Sequence, residues 1–414
     1  MTEYIHPEHI VRALANLPQV VFEVTDACNL KCKYCAYGEL YNDYDARHNK
    51  MMEFEMARRL IDYLYPLWTS NLNLSAKGLL YISFYGGEPL MNMPLIQEVV
   101  KYVRGLYLPH RIIRFTMTTN AMLLDKYMNF LVENDFSLLI SLDGNKRNDS
   151  YRIDHHGLPS FERVIQNIDL LKEKYPDYFI RNVSFNSVFH NRSSVEEVYS
   201  FIKGRYDKVP TISDLNNVGI KPEKQEVFNA MFTSSRESLN ASAKKDEIKE
   251  ELFLRDSEIR GLTLFLRQYS GFAFEDYTDL LFDKGDPAFI PTGTCLPFTR
   301  KLYLSVNGKI LPCERIGQQF GLGKVTASGV ELDHATIARK CNERLARMEK
   351  KCGACRNKKA CSQCMYNLEG IDGNPKCNGF MDEKRFQSYC MQNMMLICQQ
   401  PSLYRKIMTE VFLA

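Results

Sequence analysis

The 13 cysteines of this 414-residue chain fall into two groups. Cys28, Cys32 and Cys35 sit within "ACNLKCKYC", none lies between 36 and 294, and the other ten lie in 295–398. Thiolates are soft ligands that suit iron–sulfur clusters, zinc and Cu(I). Structural zinc takes four ligands, and the nearest histidines, His6, His9 and His48, stand away from the trio. Most cubane clusters also take four cysteines. Three thiolates would leave one iron with an open position where a small molecule could bind. A zinc site and buried structural thiols are the competing readings. In the second group, Cys352-x₂-Cys355 and Cys361-x₂-Cys364 flank a short basic loop, "RNKKA", a pattern that a zinc knuckle could also produce.

These thiols need elements to position them. Alternating apolar runs and helical periodicities supply a repeating pattern. Strands are expected at 19–25, 78–87, 111–120, 136–144, 181–190 and 214–222. Helices are expected at 53–68, 93–107, 123–134, 161–175 and 194–204. Strand–helix alternation predicts parallel βαβ units, hence an α/β fold with six repeats, an incomplete barrel or an open sheet. In such sheets chemistry sits at the C-terminal strand ends. Cys28 follows the first strand, "YGGEP" the second, "TTN" the third and "SLDG" the fourth, so all four belong to one rim. The expected division is an N-terminal extension at 1–15, the barrel at 16–222, a charged and mostly helical bridge at 223–290, a cysteine-rich domain at 291–380 and a helical tail at 381–414.

Composition limits the partners. Hydrophobic residues make up 45%, charged residues 25%, and the net charge is +3. That charge is too small for this length to point to nucleic acid or a membrane surface. "MTEYIHPEHIVRALANL" has no secretion signal, and no apolar run approaches a membrane span. A cytoplasmic protein with reduced cysteines is expected.

Cys-x₃-Cys-x₂-Cys with Tyr34 before the last cysteine resembles the signature of the radical S-adenosylmethionine (SAM) superfamily. The resemblance implies a partial (β/α)6 TIM barrel and a [4Fe-4S] cluster on Cys28, Cys32 and Cys35. Its open iron would be chelated by SAM, which is split to a 5′-deoxyadenosyl radical. Gly86, Gly87, Glu88 and Pro89 look like the motif that receives the methionine amino group, glycine letting backbone approach closely and a carboxylate accepting from an ammonium. A simple turn would also read this way. Asn120, Ser141 and Asp143 resemble the next rim positions. Arg152 resembles the arginine near the SAM carboxylate, with a surface salt bridge as the alternative. Ser187 and Val188 match the strand near ribose and adenine. His155 and His156 read as a loop feature.

The second cysteine group resembles the SPASM extension of radical SAM enzymes that modify peptides. That resemblance gives Cys352, Cys355, Cys361 and Cys377 one auxiliary [4Fe-4S] cluster, with Cys390 as a rival to Cys377. Cys295, Cys313 and Cys364 would hold a second, with an open iron or with Cys341 in the gap. Zinc is the alternative here too. Glu314 stands where sulfatase-maturing relatives place a proton-accepting aspartate. The general-base role competes with a solvated or Arg315-paired carboxylate.

The implied activity is hydrogen abstraction from a ribosomal precursor peptide to install a thioether or carbon–carbon crosslink. A sulfatase maturase, oxidising Cys or Ser to formylglycine, and a non-catalytic iron–sulfur or peptide-binding protein are the alternatives. The resemblance implies a flavodoxin- or ferredoxin-like reductant. Only 27 residues precede Cys28, too few for a leader-binding domain, so leader recognition is expected from 223–285 or from a separate protein.

Overall fold

The computed structural model describes residues 3–42, 44–74, 78–269 and 290–410. They form two compact units. One comprises Pro7–Ile248 and Leu296–Ile337, the other Met1–His6, Lys249–Cys295 and Ala338–Ala414.

The first unit is built on a sheet whose parallel half follows the expected repeats. Its strands are β1 (Gln19–Thr25), β2 (Gly78–Gly86), β3 (Arg111–Thr119), β4 (Ser137–Ser141), β5 (Val183–Phe189) and β6 (Thr211–Asp214). They lie side by side in chain order and all pair in parallel, as a partial barrel requires. Six of the seven residues of β1 are buried, the near-continuous apolar run that a strand covered on both faces needs. Register aligns Phe22 with Phe84. Phe22, Phe84, Phe136 and Phe115 then stack in sequence at centroid distances of 6.4, 5.8 and 5.5 Å, tying β1, β2 and β3 to the residue that enters β4.

Four further strands extend this sheet beyond β1. β7 (Leu302–Leu304) pairs in parallel with β1, and β8 (Lys309–Leu311), β9 (Gly323–Thr326) and β10 (Gly329–Glu331) follow as an antiparallel meander. The sequence groups 296–337 with the cysteine-rich domain, but these residues complete the barrel sheet instead. An Asn-Gly turn, Asn307-Gly308, joins β7 to β8, with Gly308 at φ +81°.

Three local expectations need correction. The sixth strand lies at Thr211–Asp214, before the expected 214–222, and pairs Asn186–Phe189 of β5 with Thr211–Asp214. "NNVG" turns instead, and Asn42 N–H donates to Gly219 O at 2.9 Å. Residues 181–182 belong to a helix, Pro176–Asn182, started by proline at its first turn. The helix expected to reach 107 stops at Arg104 before Gly105.

In the second unit, the helix Ser257–Tyr269 packs Ile259, Leu262, Phe265 and Leu266 against Ile407 of the closing helix Pro401–Glu410, with Tyr389 and Cys390 of the helix Glu383–Gln399 alongside. Asn342 fastens the chain start to this unit, accepting from Tyr4 and Ile5 N–H at 3.1 and 3.0 Å and donating to Ile5 O at 2.8 Å. The charged bridge is helical as far as Tyr269; its expected remainder at 270–285 lies outside the described residues. Among the described residues no helix is long and apolar enough to cross a membrane.

Candidate active site

The loop after β1 carries Cys28, Cys32 and Cys35. Its ends are closed: Met52 N–H donates to Val24 O at 2.9 Å, and Asp26 accepts from His48 and Lys50 N–H at 3.0 and 2.5 Å. The segment after β4 pins its middle. Lys31 N–H reaches Ile153 O at 2.7 Å, Lys33 N–H reaches Tyr151 O at 3.1 Å, and His155 Nε2 lies 2.8 Å from Cys28 O. The histidine read as a loop feature thus braces the cysteine loop. All three cysteines are half-buried. Burial pushes the Cys28 thiol up to about 11, with Glu88 adding to it, and raises Cys32 further despite Arg152. Cys35 raises both neighbours, so the three sulfurs face one region. Cluster binding there would release thiol protons. Among the described residues no three His, Cys, Asp or Glu side chains converge on a single ion; cubane thiolates each bind a different iron and need no such convergence.

The glycine pair of "YGGEP" answers to the chain itself. Gly87 N–H donates to Thr25 O at 2.8 Å, and Glu88 N–H donates to Ala27 O at 2.9 Å. Gly86 has φ +133°, and a Cβ there would stand 2.2 Å from Thr25 O; a Cβ on Gly87 would stand 1.9 Å from Ala27 O. Only glycines let the end of β2 cross this tightly over the entry of the cysteine loop.

The Glu88 side chain is buried and ties the ends of β2 and β3 together. Leu90 N–H and Thr119 Oγ1 donate to Oε1 at 3.1 and 2.7 Å, and Asn120 N–H donates to Oε2 at 2.7 Å. Burial lifts its carboxyl to about 7 although these donors pull it down. Asn120 Nδ2 in turn donates to Asn29 Oδ1 at 2.7 Å and lies 3.8 Å from Cys28 Sγ.

A second buried knot forms behind Cys32. Asp143 is fully buried, accepts from the Tyr34 hydroxyl and from Val188 N–H, and pairs with Arg152 Nε at 3.2 Å. Arg152 is also buried, 3.5 Å from Asp149 and 4.0 Å from Cys32 Sγ, so the exposed salt-bridge alternative does not hold. Ser187 Oγ donates to Leu142 O at 2.6 Å, while Ser141 ends β4 half-buried. Asp149 and His190 were missed by the sequence reading. Asp149, three residues before Arg152, has its carboxyl pushed up to about 8 by burial and by Asp143. His190 stacks on Tyr34 at 5.8 Å, and burial lowers its pKa. Asp149 Oδ2 is buried without a hydrogen bond, and His190 Nε2 has only Asp143 Oδ2 at 3.9 Å. Orphaned polar atoms beside Cys32 fit a polar ligand such as SAM.

On the other side of the cysteine loop, tyrosines lead to Glu314. Tyr37 lies 6.1 Å from Tyr85 and 4.5 Å from Tyr44, its hydroxyl 3.5 Å from that of Tyr303. Burial raises the Tyr85 hydroxyl, with Glu314 and Cys35 both adding to it. Glu314 follows Cys313 past β8. Lys301 Nζ meets its Oε1 at 3.0 Å, and Cys313 Sγ lies 3.6 Å from Oε2. Burial opposes ionisation of Glu314, yet Lys301 wins and holds the carboxyl below its usual range. The Cys313 thiol is pushed up to about 11 by burial and Glu314.

In the second unit, Cys352, Cys355, Cys361 and Cys377 line one cavity of ≈ 200 Å³. Cys361, Cys377 and Cys355 all raise the Cys352 thiol, which burial takes to about 11. Cys390 instead packs in the helical core. A Cβ on Gly293 would stand 1.8 Å from Cys361 O, so the Cys361 backbone passes directly over this glycine. Burial raises the Cys364 thiol, with Cys295 adding to it, and Met365 N–H donates to Thr294 Oγ1 at 2.7 Å. Cys341 is fully buried 3.8 Å from the Tyr366 hydroxyl.

A three-cysteine loop at the C-terminal rim of a parallel partial barrel defines a SAM- and cluster-dependent enzyme. The chain belongs to the radical SAM superfamily, whose family model matches residues 22–203. An uncharacterised protein of Methanocaldococcus jannaschii is 32% identical over 217 residues, 52% of this chain and 67% of that protein. A cysteine-type anaerobic sulfatase-maturating enzyme of Clostridium novyi is 21% identical over 89% of this chain and 94% of its own length. A radical SAM cyclopropyl synthase of Paramaledivibacter caminithermalis is 26% identical over 40% of this chain and 34% of its own. The solved structure of native anSMEcpe with bound AdoMet shares the fold, with a TM-score of 0.59 at 18% identity over 94% of this chain and 99% of that one. Membership brings SAM and a [4Fe-4S] cluster as cofactors, and the half-buried trio fits that cluster.

Proposed function

We propose that the chain is a peptide maturase that takes hydrogen from a ribosomally made precursor and leaves a thioether or carbon–carbon crosslink. The observation carrying this reading is the tyrosine-lined ground between the cysteine loop and Glu314, where Tyr85 feels both Cys35 and Glu314. A substrate side chain there would have the radical source on one side and a carboxylate on the other. When bound, the cluster and SAM supply the 5′-deoxyadenosyl radical that abstracts the hydrogen.

The chain's own residues do the rest. Cys28, Cys32 and Cys35 would hold three irons. Gly86, Gly87, Glu88 and Asn120 fix the rim where the methionine amino group of SAM would sit. Asp143 and Arg152 hold Tyr34 and the backbone of Val188 beside it, next to Ser141. Glu314 would accept the proton the substrate loses as its radical is oxidised, Lys301 keeping Oε1 ionised beforehand. Auxiliary clusters, when bound, would supply an acceptor for the electron released. The cavity lined by Cys352, Cys355, Cys361 and Cys377 supports one of them, and the resemblance to the SPASM extension implies Cys295, Cys313 and Cys364 for another. A flavodoxin- or ferredoxin-like protein would return an electron to the first cluster.

Formylglycine formation is the second reading, favoured by the near full-length match to the Clostridium novyi maturase. Anaerobically reconstituted protein, SAM and a reductant separate the two. Release of 5′-deoxyadenosine with a peptide two hydrogens lighter supports crosslinking. An aldehyde on a sulfatase-derived peptide supports the second reading. No 5′-deoxyadenosine under any of these conditions overturns both.

A further inference from the structure

Arg47 stands at the edge of the tyrosine-lined ground and is absent from every motif discussed above. Its guanidinium lies 4.7 Å over the Tyr37 ring. Tyr37 stands two residues past Cys35, so this contact places Arg47 beside the cysteine loop. Its Nε and Nη2 are buried and have no hydrogen-bond partner among the described residues. The buried Glu23 accepts from Val306 N–H at 2.9 Å.

Nε–H and Nη2–H point the same way from the guanidinium plane, and together they form the edge that grips both oxygens of a carboxylate. Elsewhere in this chain that edge is used so: Arg344 presents Nε and Nη2 to the two oxygens of Asp372 at 2.8 and 3.5 Å, and Arg205 does the same to Asp169. On Arg47 the same edge has no partner among the described residues. An unpaired buried cationic donor is costly. Arg47 as a whole is only half-buried, so part of its side chain is within reach of a ligand from solvent.

We infer that Arg47 binds a carboxylate of the peptide substrate, positioning the residue to be modified between the cysteine loop and Glu314. This rests on the peptide-maturase reading and adds a specificity to it: the substrate carries an acidic group close to the reacting carbon. That group is either an Asp or Glu side chain or a free C-terminus.

The test uses the full chain, anaerobically reconstituted and saturated with SAM, and a pool of random synthetic peptides. Two matched pools distinguish the sources, one with Asp and Glu present and an amidated C-terminus, the other lacking both acids but with a free C-terminus. Peptides retained by wild type, Arg47→Gln and Arg47→Lys are identified by mass spectrometry. The expected result is about ten-fold enrichment of acid-bearing peptides on wild type, the worth of one charge-assisted pair. Arg47→Gln should abolish it and Arg47→Lys restore part of it, with iron content and unfolding midpoint unchanged in both. Retention of peptides by wild type with no acid preference overturns the inference alone. Retention of no peptide at all overturns the maturase reading and this inference with it. Loss of iron or of fold in both variants makes Arg47 a structural residue and also overturns it.

Discussion

Gly87→Ala tests whether the glycine pair serves the chain's own crossing. The new Cβ would stand 1.9 Å from Ala27 O, 2.5 Å from Ala27 C and 3.0 Å from Asp26 O. The first contact is about 1.5 Å short of ordinary separation, and all three atoms are backbone, which cannot rotate away. Either β2 or the cysteine loop must move. Moving either stretches the Gly87 N–H bond to Thr25 O and the Glu88 N–H bond to Ala27 O. Overpacking costs about 1–3 kcal/mol and each lost hydrogen bond about 1 kcal/mol, for a total of about 3–5 kcal/mol. The unfolding midpoint of the metal-free protein should fall by several degrees. Cys28, one residue past the clash, should lose its alignment with Cys32 and Cys35, and reconstitution should give about four fewer irons per chain. Thermal unfolding followed by iron analysis reads both. A Gly87→Ala protein with wild-type midpoint and wild-type iron would refute the crossing argument, leaving a ligand as the only reason for glycine there.

Further outcomes follow from the buried charges and thiols. Glu88 is lifted from 4.5 to about 7 by burial; a carboxyl raised on folding gives stability that is full below its unfolded value and lost as pH climbs through the folded one. The metal-free protein should therefore lose stability between about pH 4.5 and 7, by about 1.4 kcal/mol per pH unit and about 3 kcal/mol in all. Urea titrations of Glu88→Gln should lack that slope; an identical slope would assign it to other groups. Asp143→Asn strips the buried Arg152 of its nearest anion and should cost about 3–5 kcal/mol, measurable by the same titration. Cys377→Ala should remove about four irons per chain because Cys377 lines the four-cysteine cavity, whereas Cys390→Ala, in the helical core, should remove none.

The parallel half of the sheet was legible because its strands are short apolar runs alternating with amphipathic helices, and both periods survive in the sequence. β1 matches its expected span residue for residue. β6 was misplaced because "TISD" carries too few apolar residues to stand out, and its place is set by pairing with β5. The meander β7–β10 escaped for a similar reason: its strands have three or four residues, too few for a period. The cysteine trio and "GGEP" were visible because their residue types are rare and local. Asp149, His190 and Arg47 are ordinary residues whose meaning comes only from what the fold brings to them.

That contrast explains how the active site is held. The cysteine loop has little regular structure of its own, so its shape comes from distant partners: Ile153 and Tyr151 carbonyls for Lys31 and Lys33, Asn120 for Asn29, and Gly87 and Glu88 for Thr25 and Ala27. The rim segments after β2, β3 and β4 each contribute one clamp, and Glu88 and Asp143 link the clamps to one another. A single buried carboxylate at each junction makes the assembly cooperative, since removing it leaves donors from two strands unpaired at once. The sequence motifs of this rim are thus as much structural requirements of one another as contacts for SAM, and the loop should lose its shape as a unit when any one clamp is cut.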